Sequence, residues 1–180
     1  MRRIRWQSMR RVVTLVAVAV TTMTLACCGV LPTASASAHV KAPARTAIHR
    51  VVAFRVDRVH AGTVAVPDGH PTLVYFMSAQ CGSCVAGEQQ LAELRHRMPQ
   101  AMHLVSLDVA PGYDTPAMVL AMAREVGAHW PQAYARQSVI NRYHITALDE
   151  VVIMNAEGRV IYDAGLPSDA RILQLVHKAV

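Results

Sequence analysis

The chain has 180 residues, of which 53% are hydrophobic, and its formal net charge at pH 7 is +6. This length accommodates one domain and a targeting segment, and the composition suits a packed core. The charge does not indicate nucleic-acid binding, because five of the 18 basic residues lie at positions 2, 3, 5, 10 and 11. The rest of the chain has 13 basic and 12 acidic residues and is therefore nearly neutral. No basic patch with interleaved aromatic residues follows, and we therefore expect no nucleic-acid partner.

Residues 1–38 are typical of an export signal. A basic stretch precedes an apolar run from Val12 to about Ala26, and Ala36-Ser37-Ala38 is a cleavage site of the A-x-A type. The apolar run is shorter than the roughly 20 residues that a membrane-spanning helix needs, which disfavours a permanent anchor. We therefore predict an exported, extracytoplasmic protein, in the periplasm or on the outer face of the cell membrane, where disulfides persist.

The point of cleavage has two interpretations. Thr24-Leu25-Ala26-Cys27 resembles a bacterial lipoprotein box, in which the cysteine is acylated, although Thr stands where Leu is usual. Cleavage before Cys27 would leave a lipid anchor as the protein's membrane contact, whereas cleavage after Ala38 would release a soluble protein. Residues 39–48 are predicted as a flexible linker, and residues 49–180 as one domain.

The first part of that domain has the pattern of β-strands. Residues 51–56 and 62–66 predict two short strands joined by a turn near Ala61-Gly62. The sequence PDGHP at 67–71 breaks this pattern. Residues 72–77 are a continuous apolar run, which predicts a strand buried on both faces.

Helices and strands alternate in the middle of the domain. Residues 82–98 predict a helix, and 102–109 predict the next strand. Residues 115–126 predict a second helix, with Met118, Met122 and Val126 along a core-facing stripe. The buried face of the first helix is predicted to carry Cys84, Leu91, Leu94 and Met98.

The last third predicts a hairpin followed by a helix. Residues 129–144 have no clear pattern and are interpreted as partly helical. Residues 150–162 predict two antiparallel strands around a turn, and a helix follows Pro167 with Ser168 as its N-cap. The order of elements predicts an α/β domain with an N-terminal β-hairpin and a mixed central sheet flanked by helices.

Two cysteines three apart, Cys81 and Cys84, lie between a predicted strand and a predicted helix. A structural zinc site needs about four ligands, whereas this C-x-x-C supplies two and the histidines are scattered. A structural disulfide would close too short a loop to gain much entropy. A cysteine in the first helical turn is stabilised as a thiolate. The pattern favours a redox dithiol in which Cys81 attacks and Cys84 resolves, with no dissociable cofactor.

The strand and helix start at residues 72–84 resemble the active-site segment of thioredoxin-fold proteins, in particular the exported TlpA-like thiol-disulfide oxidoreductases. The resemblance covers about residues 50–178 and includes the hairpin at 151–162. It implies a thioredoxin-like fold and disulfide exchange with protein thiols. It also implies a membrane electron-transfer partner, with apocytochromes of cytochrome c biogenesis among the candidate clients. The direction of exchange, reduction or oxidation, stays open.

The sequence departs from this family at two places. Ala79-Gln80 stands where Trp is usual, and Asp149 falls where the family has a cis-proline. A cis bond before a non-proline residue costs about 2.5–4 kcal/mol, so we expect a trans bond before Asp149. Its carboxylate is hypothesised to lie within a few ångströms of Cys81 and raise the thiol pKa. The alternative is a solvated loop aspartate.

A second acid, Glu88, shares the predicted buried face with Cys84. A half-buried carboxylate there could carry the proton of Cys84 during exchange. The alternative is a glutamate that extends from the edge of that face into water. The supporting residues predicted around the dithiol are therefore Gln80, Glu88 and Asp149.

Two other functions remain open for the dithiol. It could bind or deliver a soft metal ion such as copper or mercury, since thiolate pairs bind such ions. The domain could also be a non-catalytic module for protein contact. A peroxidase is disfavoured, because Ser78 replaces the threonine of the expected Thr-x-x-Cys pattern.

Overall fold

The structure, a computed structural model, describes residues 50–180. The predicted export signal, Cys27 and the linker lie outside the described residues. Strands and helices follow in this order: β1 (Phe54–Asp57), β2 (Thr63–Val66), β3 (Thr72–Met77), α1 (Gly82–Leu94), β4 (His103–Asp108), α2 (Pro116–Val126), β5 (Gln132–Tyr134), α3 (Gln137–Arg142), β6 (Glu150–Met154), β7 (Val160–Gly165) and α4 (Asp169–Ala179).

Five strands form one mixed sheet in the order β5-β4-β3-β6-β7. Strand β3 pairs with β4 in parallel and with β6 antiparallel. The parallel pair needs a crossover connection, which α1 supplies. Every residue of β3 is buried, which confirms the prediction of a central strand covered on both faces.

The side chains of β3 alternate between two hydrophobic cores. Leu73, Tyr75 and Met77 belong to the core that α1, α2 and α4 cover. Val74 and Phe76 belong to the core on the opposite face, which α3 and the N-terminal hairpin cover. The predicted architecture of a mixed sheet flanked by helices is confirmed.

The N-terminal hairpin is a separate two-stranded sheet. Strands β1 and β2 pair antiparallel, with Phe54 opposite Val66. Val56 and Val66 are fully buried in the second core. Both predicted strands and the turn between them are confirmed.

Two local predictions differ from the structure in part. The region 129–144 contains the helix α3, as predicted, but it also contains β5, whose three residues are too few for an alternating pattern. In α2 the predicted core residue Met122 is buried and Val126 packs against the core, but Met118 is 38% exposed and Val119 is buried in its place. Ser168 is the N-cap of α4 as predicted, although its side chain makes no capping hydrogen bond.

The first helix ends earlier than predicted. The α-helical part stops at Leu94, and a 3₁₀ turn continues to Arg97, just before Pro99. Leu91, Leu94 and Met98 are nevertheless buried, as predicted. None of the helices among residues 50–180 is both long and apolar enough to cross a membrane.

Candidate active site at the start of the first long helix

Cys81 is the N-cap of α1, four residues after the end of the buried strand β3. Its backbone is extended, and its Sγ accepts a hydrogen bond from the Cys84 N–H at 3.2 Å. The two cysteines form a disulfide, with their Cα atoms 5.2 Å apart. The free N–H groups of a first helical turn stabilise negative charge. The reduced Cys81 would therefore be held as a thiolate more readily than a cysteine in a loop.

The two sulfurs differ in access to solvent. Cys81 is half-buried, and Gly82 and Ser83 beside it are exposed. Cys84 has no exposed surface. The Ser83 hydroxyl lies 3.2 Å from the Cys81 sulfur, within hydrogen-bonding reach. An incoming partner can reach Cys81, while Cys84 is accessible only from within the protein.

A buried aspartate holds the loop that leads into the dithiol. Asp114 accepts hydrogen bonds from the Ser78 hydroxyl at 2.7 Å and from the Ala79 N–H at 2.8 Å. Its other oxygen accepts from the Gln80 side chain at 3.0 Å. Burial opposes ionisation, but these bonds outweigh it and hold the pKa of Asp114 below its usual value. Gln80, a predicted supporting residue, thus helps to fix the loop.

A second buried aspartate, Asp108, lies next to Asp114. One of its oxygens accepts the Ala110 N–H at 2.7 Å, while the other has no hydrogen-bond partner among residues 50–180. Burial, followed by repulsion from Asp114, raises the pKa of Asp108 to about 6. Both carboxyl groups are therefore mainly ionised at pH 7, and Asp108 is the member of the pair that takes up a proton first as the pH falls.

Asp149 bonds to a tyrosine rather than to a thiol. Its Oδ1 accepts a hydrogen bond of 2.5 Å from the buried Tyr75 hydroxyl. That hydroxyl also lies 3.2 Å from the carbonyl oxygen of Cys84. Burial raises the pKa of Asp149, and the bond from Tyr75 partly offsets this. The interpretation as a solvated loop residue is wrong, and an influence on the Cys81 thiol stays a prediction.

The backbone of Asp149 is fixed on both sides. Its N–H donates to the Phe76 carbonyl at 3.0 Å, and its own carbonyl accepts the Leu166 N–H at 2.9 Å. The residue has a φ of +66°, a left-handed conformation that Asp adopts more readily than most residues. Among residues 50–180 the cis peptide bond is Val66–Pro67, and the expected trans bond before Asp149 is confirmed.

Gly87 makes room for the tyrosine–aspartate pair. A Cβ at this position would collide with the Tyr75 hydroxyl, and it would approach Asp149 Oδ1 and the Leu166 side chain to 2.9 Å each. The second turn of α1 can therefore pack against this pair only because residue 87 has no side chain.

Glu88 is fully buried, one turn after Cys84 on the same helix. The interpretation of a side chain that extends into water is wrong. Burial raises the pKa of Glu88 to about 7, and the neighbouring Ser106 and Gln132 lower it only in part. Neither carboxylate oxygen has a hydrogen-bond partner within residues 50–180. An acid with this pKa can gain or lose a proton near neutrality.

No family model matches this chain. Solved structures with a similar fold include a thioredoxin-like protein from Aeropyrum pernix, which is 21% identical with a TM-score of 0.62. This similarity covers 70% of the present chain and 89% of the other. A thiol:disulfide interchange protein from Chlorobium tepidum is 17% identical with a TM-score of 0.63, over 76% and 99% of the two chains. The chain has the thioredoxin fold.

A third structure of this fold is a secreted disulfide oxidoreductase from Mycobacterium tuberculosis, 14% identical with a TM-score of 0.60. Coverage is 69% of this chain and 95% of that one. A similar sequence is that of a Streptomyces lividans protein named "Mercury resistance operon ORF3", 24% identical over 121 residues. The alignment covers 65% of this chain and 64% of that protein, so the chain spans less than two thirds of its relative's length.

The thioredoxin fold brings together predicted and unpredicted residues. Cys81, Cys84 and Gln80 lie at the helix start as predicted, and Asp149 lies across from Gly87. Sequence reasoning missed Asp114, Tyr75 and Gly87. In the sequence Tyr75 is simply part of an apolar strand. The hydrogen bond of its hydroxyl is made to Asp149, 74 positions away, and local patterns do not indicate it.

Proposed function

We propose that this protein is a thiol-disulfide oxidoreductase acting on protein partners. The observation that carries this proposal is the half-buried Cys81 at a helix N-cap, bonded to a fully buried Cys84. The similar structures described as a thiol:disulfide interchange protein and a disulfide oxidoreductase support it.

In the reducing direction, the Cys81 thiolate attacks one sulfur of a partner disulfide. This forms a mixed disulfide and releases the partner's other sulfur as a thiolate. Cys84, once deprotonated, attacks the Cys81 sulfur and releases the partner's second thiolate, which takes up a proton. The partner gains two electrons and the Cys81–Cys84 pair loses them. In the oxidising direction the same steps run in reverse.

Within this proposal, Glu88 accepts the Cys84 proton. It is buried on the same face one turn away, and its pKa of about 7 suits proton transfer near neutrality. Gln80 positions the loop before Cys81 through Asp114. Asp149 positions the start of α1, which carries the dithiol, through Tyr75.

We further propose that the domain works outside the cytoplasm. The predicted export signal supports this location, and the similar Mycobacterium tuberculosis oxidoreductase is described as secreted. Electrons would be exchanged with a membrane partner. Membrane contact of the protein itself would come only through a lipid on Cys27.

The reduction potential of the Cys81–Cys84 couple tests the central proposal. The protein is equilibrated in glutathione and dithiothreitol buffers, and the fraction of disulfide is read by thiol alkylation. A potential near the roughly −270 mV of thioredoxin indicates a reductant, and one near about −120 mV indicates a disulfide donor. Cys81→Ser should abolish insulin reduction, while Ser83→Ala should retain most of it. Absence of a reversible intramolecular disulfide would contradict the proposal.

A second candidate function is capture of a soft metal ion. The specific observation is the similarity to the protein named for a mercury resistance operon. The reduced dithiol would bind Hg²⁺ through two thiolates and release the proton of Cys84, together with that of any Cys81 still protonated. One Hg²⁺ per reduced chain, none per oxidised chain, and no insulin reduction would favour this candidate over the oxidoreductase.

A further inference from the structure

Three side chains with metal-binding atoms meet at the other end of the sheet from the dithiol. Asp68 uses both carboxylate oxygens: Oδ2 lies 2.9 Å from His103 Nδ1, and Oδ1 lies 3.3 Å from His70 Nδ1. The two imidazole rings stack with their centroids 4.1 Å apart and 18° between their planes. One donor atom from each of the three residues lies within 4.8 Å of the other two.

The backbone holds these residues in place before any ligand arrives. His70 lies in the loop before β3, and its carbonyl accepts the Thr72 hydroxyl at 2.9 Å. His103 begins β4, and its N–H donates to the Pro71 carbonyl at 2.8 Å. Thr72 and His103 are paired in the parallel register of β3 and β4. The loop and the strand end are thus fixed to each other, which lowers the entropy lost on binding.

The distances suit one small divalent ion. Zinc binds imidazole nitrogen at about 2.0–2.1 Å and carboxylate oxygen at about 2.0–2.2 Å, so tetrahedral ligand atoms lie roughly 3.3 Å apart. The two Asp68 contacts, at 2.9 Å and 3.3 Å, are near this separation but use different carboxylate oxygens. Binding one ion requires the carboxylate and the two imidazoles to turn slightly, so that three donor atoms now within 4.8 Å of one another reach this separation. Two imidazoles and a carboxylate are a donor set that borderline ions such as Zn²⁺ accept.

We propose that Asp68, His70 and His103 form a binding site for a divalent first-row transition-metal ion. The ion takes the place of the Nδ1 hydrogens, so each ring carries its hydrogen on Nε2. Three protein ligands leave a fourth coordination position open, as in zinc sites that bind water or a substrate. The Asp68, His70 and His103 side chains are 36%, 53% and 41% exposed, so the ion can enter from solvent.

The open position has a neighbouring cleft. Asp68 and His103 line a cleft of about 610 Å³, together with His96, His129 and Trp130. A small ligand of the ion would therefore find further imidazoles and an aromatic surface beside it. Such a volume falls in the range of small-molecule sites.

This site is independent of the dithiol. Strand β3 runs from Thr72, beside the cluster, to Met77, just before the Cys81 loop. Five residue steps at about 3.3 Å each separate the two ends by roughly 16 Å, too far for one ion to contact both. The inference does not rest on the proposed oxidoreductase function.

Isothermal titration with Zn²⁺ tests the proposal. The protein is used without a histidine tag and in its oxidised form, so that the dithiol cannot bind metal. We expect one Zn²⁺ per chain. His103→Ala and Asp68→Asn should each weaken binding at least tenfold, since even a lost outer-shell partner costs about 10–100-fold. His177→Ala, which removes an exposed histidine of α4, should bind as the unchanged protein does.

Two outcomes would overturn the site: no Zn²⁺ uptake by the unchanged protein, or an affinity in Asp68→Asn and His103→Ala equal to that of the unchanged protein. Asp68→Asn keeps the shape of the side chain, so it decides the matter if His103→Ala fails to fold, which circular dichroism would show. Insulin reduction by both variants should match that of the unchanged protein, because the site is remote from Cys81.

Discussion

At the scale of single residues, two buried tyrosines have opposite surroundings. The Tyr75 hydroxyl donates to Asp149 and lies against the first helix. The Tyr143 hydroxyl is buried without a hydrogen-bond partner among residues 50–180. A buried hydroxyl that donates a hydrogen bond contributes to stability. A buried hydroxyl without a partner carries its desolvation penalty with no hydrogen bond to offset it. The pair therefore offers a matched comparison within one molecule.

We predict that Tyr75→Phe destabilises the protein by about 1–3 kcal/mol, because it leaves the half-buried Asp149 carboxylate without its donor. Tyr143→Phe should be neutral or slightly stabilising. Urea denaturation at pH 7 measures both free energies of unfolding. The loss in Tyr75→Phe should shrink at acidic pH, where a protonated Asp149 no longer needs the donor. An equal loss in both variants would contradict the roles assigned to the two hydroxyls.

At the scale of secondary structure, the first helix lies close to β3 at one residue. Gly87 contacts the Tyr75–Asp149 pair where a Cβ would collide with it. The approach allows the loop that carries Asp149 to reach the helix whose first turn carries the dithiol. A glycine inside a helix costs about 1 kcal/mol of stability relative to alanine. At residue 87 the close packing against Tyr75 and Asp149, which a Cβ would prevent, offsets this cost.

Gly87→Ala should therefore destabilise the protein by about 1–3 kcal/mol, since overpacking outweighs the gain in helix propensity. Ala86→Gly is the matched control at the adjacent exposed position of the helix and should cost about 1 kcal/mol through propensity alone. Thermal unfolding followed by circular dichroism compares the two. If Gly87→Ala raised the melting temperature, the close contact would be absent in solution.

The sequence predicts the elements whose patterns are local and leaves out those that depend on distant partners. The central strand 72–77, the buried face with Leu91 and the closing hairpin follow from hydrophobic spacing. Strand β5 is three residues long and is defined by its pairing with β4. The hydrogen bonds that Asp114 accepts likewise depend on a loop 34–36 positions earlier in the chain. Pattern and spacing therefore predict the dithiol and the candidate acids Glu88 and Asp149, while Asp114 and the bond from Tyr75 to Asp149 emerge only from the fold.

At the scale of the whole molecule, buried carboxylates set how stability depends on pH. The pKa of Asp114 is lowered, so its stabilisation is present above its unfolded pKa and is lost as pH falls through the lower, folded value. Glu88 acts in the opposite sense. Its pKa rises from 4.5 to about 7 on folding, so the folded protein loses stability as pH rises between these values.

We predict that Glu88→Gln is more stable than the unchanged protein at pH 8, by up to about 3 kcal/mol, from the linkage of 1.36 kcal/mol per pKa unit. The difference should decline as pH falls from 7 to 4.5. Glu93→Gln, an exposed position on the same helix, should show no such trend. Free energies of unfolding across this pH range provide the measurement, and a difference that does not vary with pH would contradict a raised Glu88 pKa.

In the same Glu88→Gln variant, the resolving step should lose its proton acceptor. We expect slower release of the mixed disulfide near pH 7, with a smaller difference at alkaline pH, where hydroxide deprotonates Cys84 directly. Stopped-flow mixing of the reduced protein with a model disulfide follows this step. A pH–rate profile identical to that of the unchanged protein would remove Glu88 from the mechanism and leave it a buried structural acid.

The N-terminal hairpin also protects the sheet from other copies of the chain. Strand β5 lies at one end of the five-stranded sheet, where its outer backbone groups would otherwise template a foreign strand. The Val59 N–H donates to the Gln132 carbonyl at 2.9 Å, and Arg58 bridges to Ala133. The end of the hairpin thus covers the edge of the sheet at β5. An intact hairpin would then guard the folded domain against aggregation through this edge, a role separate from that of the dithiol.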